Sequence, residues 1–182
     1  MIITIAGRAG SGKSTVAKML AKELGYTHYS TGDIVRAMAK ERGITLEELM
    51  KLSEKTPDFD KHIDAYQKEL GKKEDNFVLD GRLGWYFIPH SKKIFLEVSP
   101  EVAAKRIFKD KLDGKRNEQA IQDIHEALIC SKERDARDAE RYKKIYGFLW
   151  DEPKNFDLVI DTSIPTAEEI VKKIKENIIK MI

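Results

Sequence analysis

The most informative segment of the sequence is Gly7-Arg8-Ala9-Gly10-Ser11-Gly12-Lys13-Ser14, which fits the pattern G-x-x-x-x-G-K-[ST] at every fixed position. The apolar run Ile2–Ala6 comes directly before it, and Lys13–Leu24, with apolar residues on one helical face, follows. Glycines let the backbone turn tightly enough to point N–H groups at phosphate oxygens, and a helix N-terminus favours an anion. These residues therefore predict a phosphate-binding loop between a buried strand and a helix.

The polar side chains of this loop have definite expected tasks at a bound nucleotide. The Lys13 ammonium is expected to reach the β- and γ-phosphates of ATP, and the Ser14 hydroxyl is expected to bind Mg²⁺. ATP is therefore the expected phosphoryl donor, with Mg²⁺ as the cofactor. The residues predicted to bind ATP are Gly7, Arg8, Ala9, Gly10, Ser11, Gly12, Lys13, Ser14 and Thr15.

Short apolar runs alternate with amphipathic stretches along the rest of the chain, which is typical of parallel strands joined by helices. We therefore predict an α/β fold of the P-loop NTPase class, with a five-stranded parallel sheet flanked by helices. The predicted strands are Ile2–Ala6, Thr27–Ser30, Phe77–Asp80, Ile94–Val98 and Leu158–Asp161.

Two charged segments interrupt this alternation and are predicted to be additions to a single domain. The first, about 31–75, is a helical insert, in which Thr45 and Glu48 resemble a capping box for a helix over Leu46–Ser53. The second, about 109–146, is a mobile lid. The predicted core consists of residues 1–30, 76–108 and 147–182.

Length and composition limit the classes of function. The 182 residues suit one domain, and 33 basic against 31 acidic residues leave a net charge of +2. We therefore expect no general attraction to nucleic acid or to a membrane surface. The single cysteine, Cys130, excludes an internal disulfide, and no apolar run is long enough to span a bilayer. A cytoplasmic monomer is the expectation.

The segment Ser30-Thr31-Gly32-Asp33-Ile34-Val35-Arg36 follows the second predicted strand and is a candidate acceptor site. Gly32 allows the backbone to approach a ligand closely, and the Arg36 guanidinium could grip a second phosphate through two hydrogen bonds. The alternative is an ordinary helix start with a solvated arginine.

Asp80-Gly81-Arg82 closes the third predicted strand. A carboxylate at a strand end is well placed to hold Mg²⁺, so Asp80 is predicted to share the metal with Ser14, while Arg82 points into the same crevice. The alternative is a turn with an Asp–Arg surface pair. Two separate arginines for phosphate favour an acceptor that is itself phosphorylated.

In this order, Gly7–Ser14, Ser30–Arg36 and Asp80–Arg82 resemble the motifs of nucleoside monophosphate kinases. Asp80-Gly81-Arg82-Leu83-Gly84, running on to Pro89 and Lys93-Ile94-Phe95-Leu96, is similar to cytidylate kinases in particular. Glu133-Arg134-Asp135-Ala136-Arg137-Asp138-Ala139-Glu140-Arg141 is similar to their E-R-D-x-R-D-x-x-R segment, although bacterial members commonly carry an aspartate where this chain has Leu83. The resemblance covers essentially the whole chain, and the short form resembles the archaeal type.

The resemblance implies transfer of the ATP γ-phosphoryl group to CMP or dCMP, with the insert at about 31–75 binding the monophosphate. It also implies that Arg134, Asp138 and Arg141 bind the pyrimidine nucleotide. The predicted catalytic residues are Lys13, Arg82, Arg106 and Arg134, with Arg116 as a further candidate unless it is simply solvent-exposed. The predicted metal ligands are Ser14 and Asp80. The predicted CMP site consists of Ser30, Gly32, Arg36, Asp80, Arg82, Arg134, Asp138 and Arg141.

Helical geometry gives Arg134, Asp138 and Arg141 a shared face. At 100° per residue they fall within an arc of about 60°, beside an apolar stripe. A carboxylate there can accept from the exocyclic amine of cytosine, and an arginine can donate to the base carbonyl or to phosphate. The alternative is a solvated helix stabilised by pairs four residues apart, such as Arg134 with Asp138. The predicted stripe consists of Ile124, Leu128 and Tyr142.

Other functions stay open at this point. The acceptor could be AMP, UMP or another small metabolite, and the chain could be a nucleotide-dependent switch without productive transfer. A guanine-reading Asn-Lys-x-Asp element is absent from the sequence, which argues against a GTPase. RNA binding is disfavoured by the low net charge and the lack of a clustered basic and aromatic face.

Overall fold

The computed structural model describes residues 1–45, 48, 49, 52, 58–114 and 121–180, and within them five strands form one parallel sheet. The strand order is β2-β3-β1-β4-β5. The predicted α/β class and the five predicted strands are confirmed. The strands are β1 (Ile2–Gly7), β2 (Thr27–Ser30), β3 (Phe77–Asp80), β4 (Lys92–Glu97) and β5 (Leu158–Asp161).

The fourth strand begins two residues before the predicted start and ends one residue before the predicted end. Lys92 and Lys93 extend it because their backbones pair with Ile3 and Thr4 of β1. The sequence did not predict this extension, because the predicted strand was limited to the apolar run and Lys92 and Lys93 are charged. Backbone pairing with a central strand therefore overrides the side-chain pattern at this end.

Helices connect the strands and cover both faces of the sheet. The predicted helix over Leu46–Ser53 lies largely outside the described residues, but its capping box is present. Glu48 Oε2 accepts from the Thr45 N–H at 2.7 Å, and Thr45 Oγ1 accepts from the Glu48 N–H at 3.1 Å. The helices are α1 (Lys13–Leu24), α2 (Thr31–Glu41), α3 (Asp58–Lys73), α4 (Gly84–Phe87), α5 (Pro100–Leu112), α6 (Ile124–Tyr146) and α7 (Ala167–Lys180), with a 3₁₀ turn at Pro153–Asn155.

The sheet separates an aliphatic layer from an aromatic one. On one face, the apolar sides of α1 and α7 pack on Ile3, Ile5, Val78, Leu96 and Ile160. Burial on both faces explains why the central strands read as continuous apolar runs. The second face carries an aromatic cluster that consists of Trp85, Phe87, Phe95, Tyr142, Trp150 and Phe156 with Leu83.

The parallel arrangement brings the carboxyl ends of the strands to a single edge of the sheet. β1 ends at Gly7, and in register Asp80 lies beside Ile5 on one side and Ser30 on the other. Ligands of open α/β sheets bind outside this edge. The fold therefore places three predicted site segments at the same edge. No described helix is both long and apolar enough to cross a bilayer.

Candidate active site

The loop after β1 has the backbone that its glycines predict. Gly10 and Gly12 have φ angles of 76° and 80°, in the left-handed region that glycine favours. A Cβ on Gly10 would lie 2.8 Å from the Ala103 carbonyl oxygen, so helix α5 also requires glycine there. Helix α1 then starts at Lys13 with no side-chain cap from Gly12. Its first N–H groups are therefore available to an anion.

The Lys13 side chain folds back over this loop, and Nζ donates to the Arg8 carbonyl oxygen at 3.1 Å. Burial, with the positive charges of Arg82 and Arg134, lowers the pKa of Lys13 to about 7, although Asp80 and Asp135 act in the opposite direction. Polyphosphate would supply the negative charge that favours the ammonium form. The cationic surroundings of Lys13 therefore suit an anionic ligand.

Asp80 lies at the centre of a hydrogen-bond cluster at the end of β3. Its Oδ1 accepts from the hydroxyls of Ser14 and Ser30, both at 3.1 Å, and its Oδ2 is 2.7 Å from His28 Nε2. The side chain is buried. Ser14 and Asp80 offer the oxygen ligands that Mg²⁺ prefers, with phosphate and water to complete the octahedron. The predicted metal pair is thus close together, and its chemistry fits the ion.

His28 was missed as part of this cluster. His28 and Ser30 are two residues apart on β2, so both side chains leave the strand on the same face. The strand register places that face beside Asp80. The sequence shows that His28 and Ser30 share a face, but it does not show that Asp80 is their neighbour. That contact depends on the order of the strands in the sheet. Among the described residues, no group of three or more His, Cys, Asp or Glu side chains is arranged to hold a metal ion.

Arg82 is held on three sides. Its Nη2 lies 2.8 Å from Asp135 Oδ1, its Nη1 lies 2.5 Å from Asp138 Oδ2, and its guanidinium stacks 4.7 Å from the centre of the Trp150 ring. The Arg82 side chain is only 10% exposed. The alternative of a surface pair with Asp80 is therefore wrong. Sequence reasoning missed Asp135 and Trp150, although Asp135 stands inside the E-R-D-x-R-D-x-x-R segment.

Asp135 also joins helix α6 to the phosphate loop. The same Oδ1 that faces Arg82 accepts from the Ala9 N–H at 3.3 Å. A cleft of about 540 Å³ opens beside this contact, between the start of α5 and the middle of α6, and Arg8 and Ala9 line it on the loop side. The predicted donor and acceptor regions therefore meet at one carboxylate.

Asp138 is buried and bridges two arginines, Arg82 through Oδ2 and Arg141 Nη2 through Oδ1 at 3.4 Å. The alternative of a solvated helix, in which Asp138 pairs with Arg134 on the surface, therefore does not describe Asp138. Arg134 is exposed, but it lies near enough to Lys13 to help lower the pKa of that lysine. The structure thus places Arg134 near Lys13 and connects Asp138 to the loop through Arg82 and Asp135.

Ile124 on α6 differs from the predicted stripe, and Leu83, in the turn before α4, is buried away from the site. Ile124 is 45% exposed, so it does not belong to the apolar stripe, and Ala127 takes an inward position instead. Leu83, where bacterial cytidylate kinases commonly carry an aspartate, is buried in the aromatic cluster and adds no polar group to the site.

Arg36 lies on the exposed side of α2 and pairs with Asp33, three residues before it. This hydrogen bond holds the pKa of Asp33 below its usual range, and burial opposes the shift. Gly32 lies against the Arg36 guanidinium, where a Cβ would sit 3.4 Å from Nη1. The structure does not bring Arg36 together with Arg82, and its contact with an acceptor stays a prediction.

Arg106 braces the loop from the β5 side. It donates to the Thr162 carbonyl oxygen at 2.7 Å, to the Thr162 hydroxyl at 3.2 Å and to the Gly10 carbonyl oxygen at 3.5 Å. Arg8 lies at the other side of the loop and pairs with Glu97 and Asp151 at 2.9 and 3.1 Å. Catalytic contact by Arg106 stays a prediction, and Arg116 falls outside the described part of the chain.

The sheet order, the glycine-rich loop and the carboxylate at the end of β3 together define a kinase of the P-loop class. A solved shikimate kinase from Bacteroides thetaiotaomicron shares the fold, with a TM-score of 0.67 over 98% of both chains at 17% identity. The sequence profile of the cytidylate kinase-like family matches residues 2–164. The chain therefore belongs to the cytidylate kinase-like family.

Two relatives show how far this likeness extends. A cytidylate kinase of Pyrococcus abyssi is 37% identical over 176 residues, which is 96% of this chain and 92% of the relative. One of Methanocella arvoryzae is 39% identical over 163 residues, which is 90% of this chain and 88% of the relative. The similarity includes the core, the insert and α6, in agreement with the extent of the motifs.

Proposed function

We propose that the protein is an ATP-dependent cytidylate kinase, which transfers the γ-phosphoryl group of ATP to CMP or dCMP and releases ADP with CDP or dCDP. The observation that carries this proposal is the cluster of Arg82, Asp138 and Arg141, which Asp135 connects to the phosphate loop. It offers two arginines to an anionic acceptor, Arg82 from the turn after β3 and Arg141 from α6, and α6 touches the donor loop through Asp135. The cytidylate kinase relatives support the same acceptor.

The mechanism follows from the charges at the strand ends. An oxygen of the acceptor phosphate attacks the γ-phosphorus while the bond from that phosphorus to the β–γ bridging oxygen breaks. The acceptor oxygen is already anionic, so positioning and charge neutralisation matter more than a strong base. Lys13, Arg82 and Arg134 supply the neutralising charge. Closure of the insert and lid over the cleft would exclude water and so protect ATP from hydrolysis.

Ser14 and Asp80 would hold Mg²⁺, with Ser30 and His28 orienting the carboxylate. Bound there, the ion neutralises charge on the donor phosphates. We also propose that the enzyme acts as a cytoplasmic monomer without a nucleic-acid or membrane partner, which the near-zero net charge and the single cysteine support.

Release of ADP from Mg-ATP tests the proposal, with CMP, dCMP, UMP, AMP and GMP supplied one at a time. We expect turnover with CMP and dCMP at rates well above those of the other three. Preference for AMP or UMP would support a kinase activity but contradict CMP as its acceptor. Equal ADP release with and without any acceptor would favour a nucleotide-hydrolysing switch and contradict the proposal.

A further inference from the structure

Asp60, in the first turn of α3, is a largely buried carboxylate whose one ionic partner among the described residues is Arg141. The residue is 6% exposed. Its side chain accepts no hydrogen bond from the part of the chain that the structure describes, and the nearest cationic atom, Arg141 Nη1, is 3.8 Å from Oδ1. Buried carboxylates normally accept several hydrogen bonds. Neither Asp60 oxygen is among the fully enclosed side-chain atoms without a partner in the described residues, so both remain open to a donor from a ligand.

The position of Asp60 points to the acceptor as the source of that donor. Asp60 belongs to the insert, and across from it lie Asp138 and Arg141 on α6. Both oxygens of Asp138 already face arginines, Oδ2 at 2.5 Å and Oδ1 at 3.4 Å. Of the two carboxylates that form ion pairs with Arg141, Asp60 is therefore the one without a second arginine, and it has lone pairs to offer a ligand.

The charge state of Asp60 agrees with this position. Burial raises the pKa of its carboxyl, Arg141 opposes the rise, and the charge of Asp138 adds to it. A ligand that donates a hydrogen bond to Asp60 would stabilise the ionised form and relieve this penalty. A ligand that presents an oxygen there would increase the penalty.

We propose that Asp60 accepts a hydrogen bond from the exocyclic amine of the cytosine base and thereby selects CMP over UMP. Cytosine presents an amine at the position where uracil presents a carbonyl oxygen, so a carboxylate attracts the first and repels the second. Asp138 then serves to hold Arg82 and Arg141 rather than to read the base. This inference rests on the proposed function and names the side chain that determines its specificity.

A matched pair of substitutions tests the proposal. Asp60→Asn keeps the shape but removes the charge, and its amide can donate to a carbonyl oxygen. Asp64→Asn makes the same change one turn further along α3, at a carboxylate that already accepts from the Tyr146 hydroxyl at 2.8 Å. The measurements are kcat/KM for CMP, dCMP and UMP, the Kd of CMP without ATP by titration calorimetry, and Tm as a check of folding.

We expect Asp60→Asn to lower the ratio of kcat/KM for CMP to that for UMP by about tenfold or more, the loss typical of a hydrogen bond to a charged group. The Kd of CMP should rise by a similar factor. Asp64→Asn should leave the ratio within about twofold, because any loosening of the insert affects both acceptors alike.

Three outcomes would overturn the inference. Equal losses with CMP and UMP would show that Asp60 only orients Arg141. A changed ratio of CMP to dCMP with an unchanged ratio of CMP to UMP would assign Asp60 to the ribose. Unchanged kinetics would leave it without a role in binding. Failure of the wild-type protein to phosphorylate CMP or UMP contradicts the proposed function itself and is recognised before any variant is made.

Discussion

Lys13 shows how the phosphate loop prepares for its ligand at the scale of a single residue. Its pKa is lowered from an ordinary value of 10.5 to about 7, first by burial and then by the charges of Arg82 and Arg134. At pH 8 the free protein therefore holds Lys13 mainly as the neutral amine. Bound phosphates favour the ammonium form, so nucleotide binding is coupled to proton uptake.

We predict that ADP binding at pH 8 takes up close to one proton, about 0.9 if the bound lysine is fully charged. Near pH 6 the uptake at Lys13 should be small, because the lysine already carries its proton there. Titration calorimetry in two buffers of different ionisation enthalpy measures the uptake. Lys13→Met should abolish it at pH 8, and an unchanged proton count in that variant would contradict the assignment.

Asp60 makes the opposite case, a carboxyl whose pKa is raised by burial. The folded state then binds more protons than the unfolded state between the ordinary pKa of 3.8 and the raised value. The contribution of Asp60 to the free energy of unfolding therefore falls as pH rises through that window. At neutral pH the full destabilisation by the buried carboxylate is present.

We predict that Asp60→Asn raises the Tm of the unliganded protein at pH 7, because the substitution removes the ionised carboxylate that burial destabilises. The difference from wild type should shrink as the pH falls through the raised pKa, and it should vanish well below 3.8, where the carboxyl is protonated in both the folded and the unfolded state. Thermal unfolding at several pH values checks this. A lower Tm at pH 7 would mean that the pair with Arg141 outweighs the cost of burial.

The sequence predicted individual site residues where a motif defines them and missed those defined by contacts. Lys13, Ser14 and Asp80 follow from the phosphate loop and from a strand end. His28, Asp60 and Asp135 do not, because each acquires its role from partners more than fifty residues away. Their residue types and spacing are compatible with ordinary surface positions, and only the packing distinguishes them.

At the scale of elements, the contact between α3 and α6 connects the insert to the rest of the site. The Tyr146 hydroxyl donates to Asp64 Oδ2 at 2.8 Å, and Arg141 faces Asp60 one turn away. Burial raises the pKa of Asp64, and the Tyr146 hydrogen bond opposes that rise. This hydrogen bond therefore stabilises a partly buried carboxylate as well as the position of α3.

We predict that Tyr146→Phe lowers the free energy of unfolding by about 1–2 kcal/mol, because it leaves Asp64 without this donor. Urea unfolding followed by circular dichroism measures the loss. Tyr86→Phe is the control, since Tyr86 belongs to the same group of aromatic rings but is 42% exposed. A loss of similar size in both variants would assign the effect to ring packing rather than to the hydrogen bond.

Strands and helices could be predicted well because their signals are local. Continuous apolar runs mark strands that are buried on both faces, and Ser99 followed by Pro100 marks the start of α5, where the serine hydroxyl accepts from the Val102 N–H. The contact of α3 with α6 leaves no such signal. It depends on which side of the sheet each connection crosses, and the order β2-β3-β1-β4-β5 becomes evident only from the fold.

At the scale of the whole molecule, Asp135 connects the predicted donor site with the predicted acceptor site. One oxygen accepts from the loop N–H of Ala9 at 3.3 Å and from Arg82 at 2.8 Å. The loop belongs to the predicted ATP site, and Arg82 belongs to the predicted CMP site. The negative charge of Asp135 therefore lies beside the loop that is predicted to bind the donor phosphates, and it also holds Arg82, which is predicted to contact the acceptor.

We predict that Asp135→Asn has opposite effects on binding and on turnover. Loss of the charge should tighten ADP binding without acceptor by about threefold to tenfold, since one repulsion of order 1 kcal/mol is removed. Turnover with CMP should slow by about tenfold or more, because Arg82 loses one of its two carboxylate partners and with it part of its fixed position. Titration calorimetry and ADP release measure the two effects separately.

Asp157→Asn is the matched control, because Asp157 is exposed and accepts from the Lys93 N–H at the opposite edge of the sheet. It should leave both quantities unchanged. Weaker ADP binding in Asp135→Asn would mean that the carboxylate serves only to shape the loop. The predicted opposition between ADP binding and turnover would then be wrong. Tighter ADP binding with slower turnover would mean that the Asp135 carboxylate lowers the affinity for the donor and at the same time fixes the position of Arg82 for the acceptor. One carboxylate would then affect both sites.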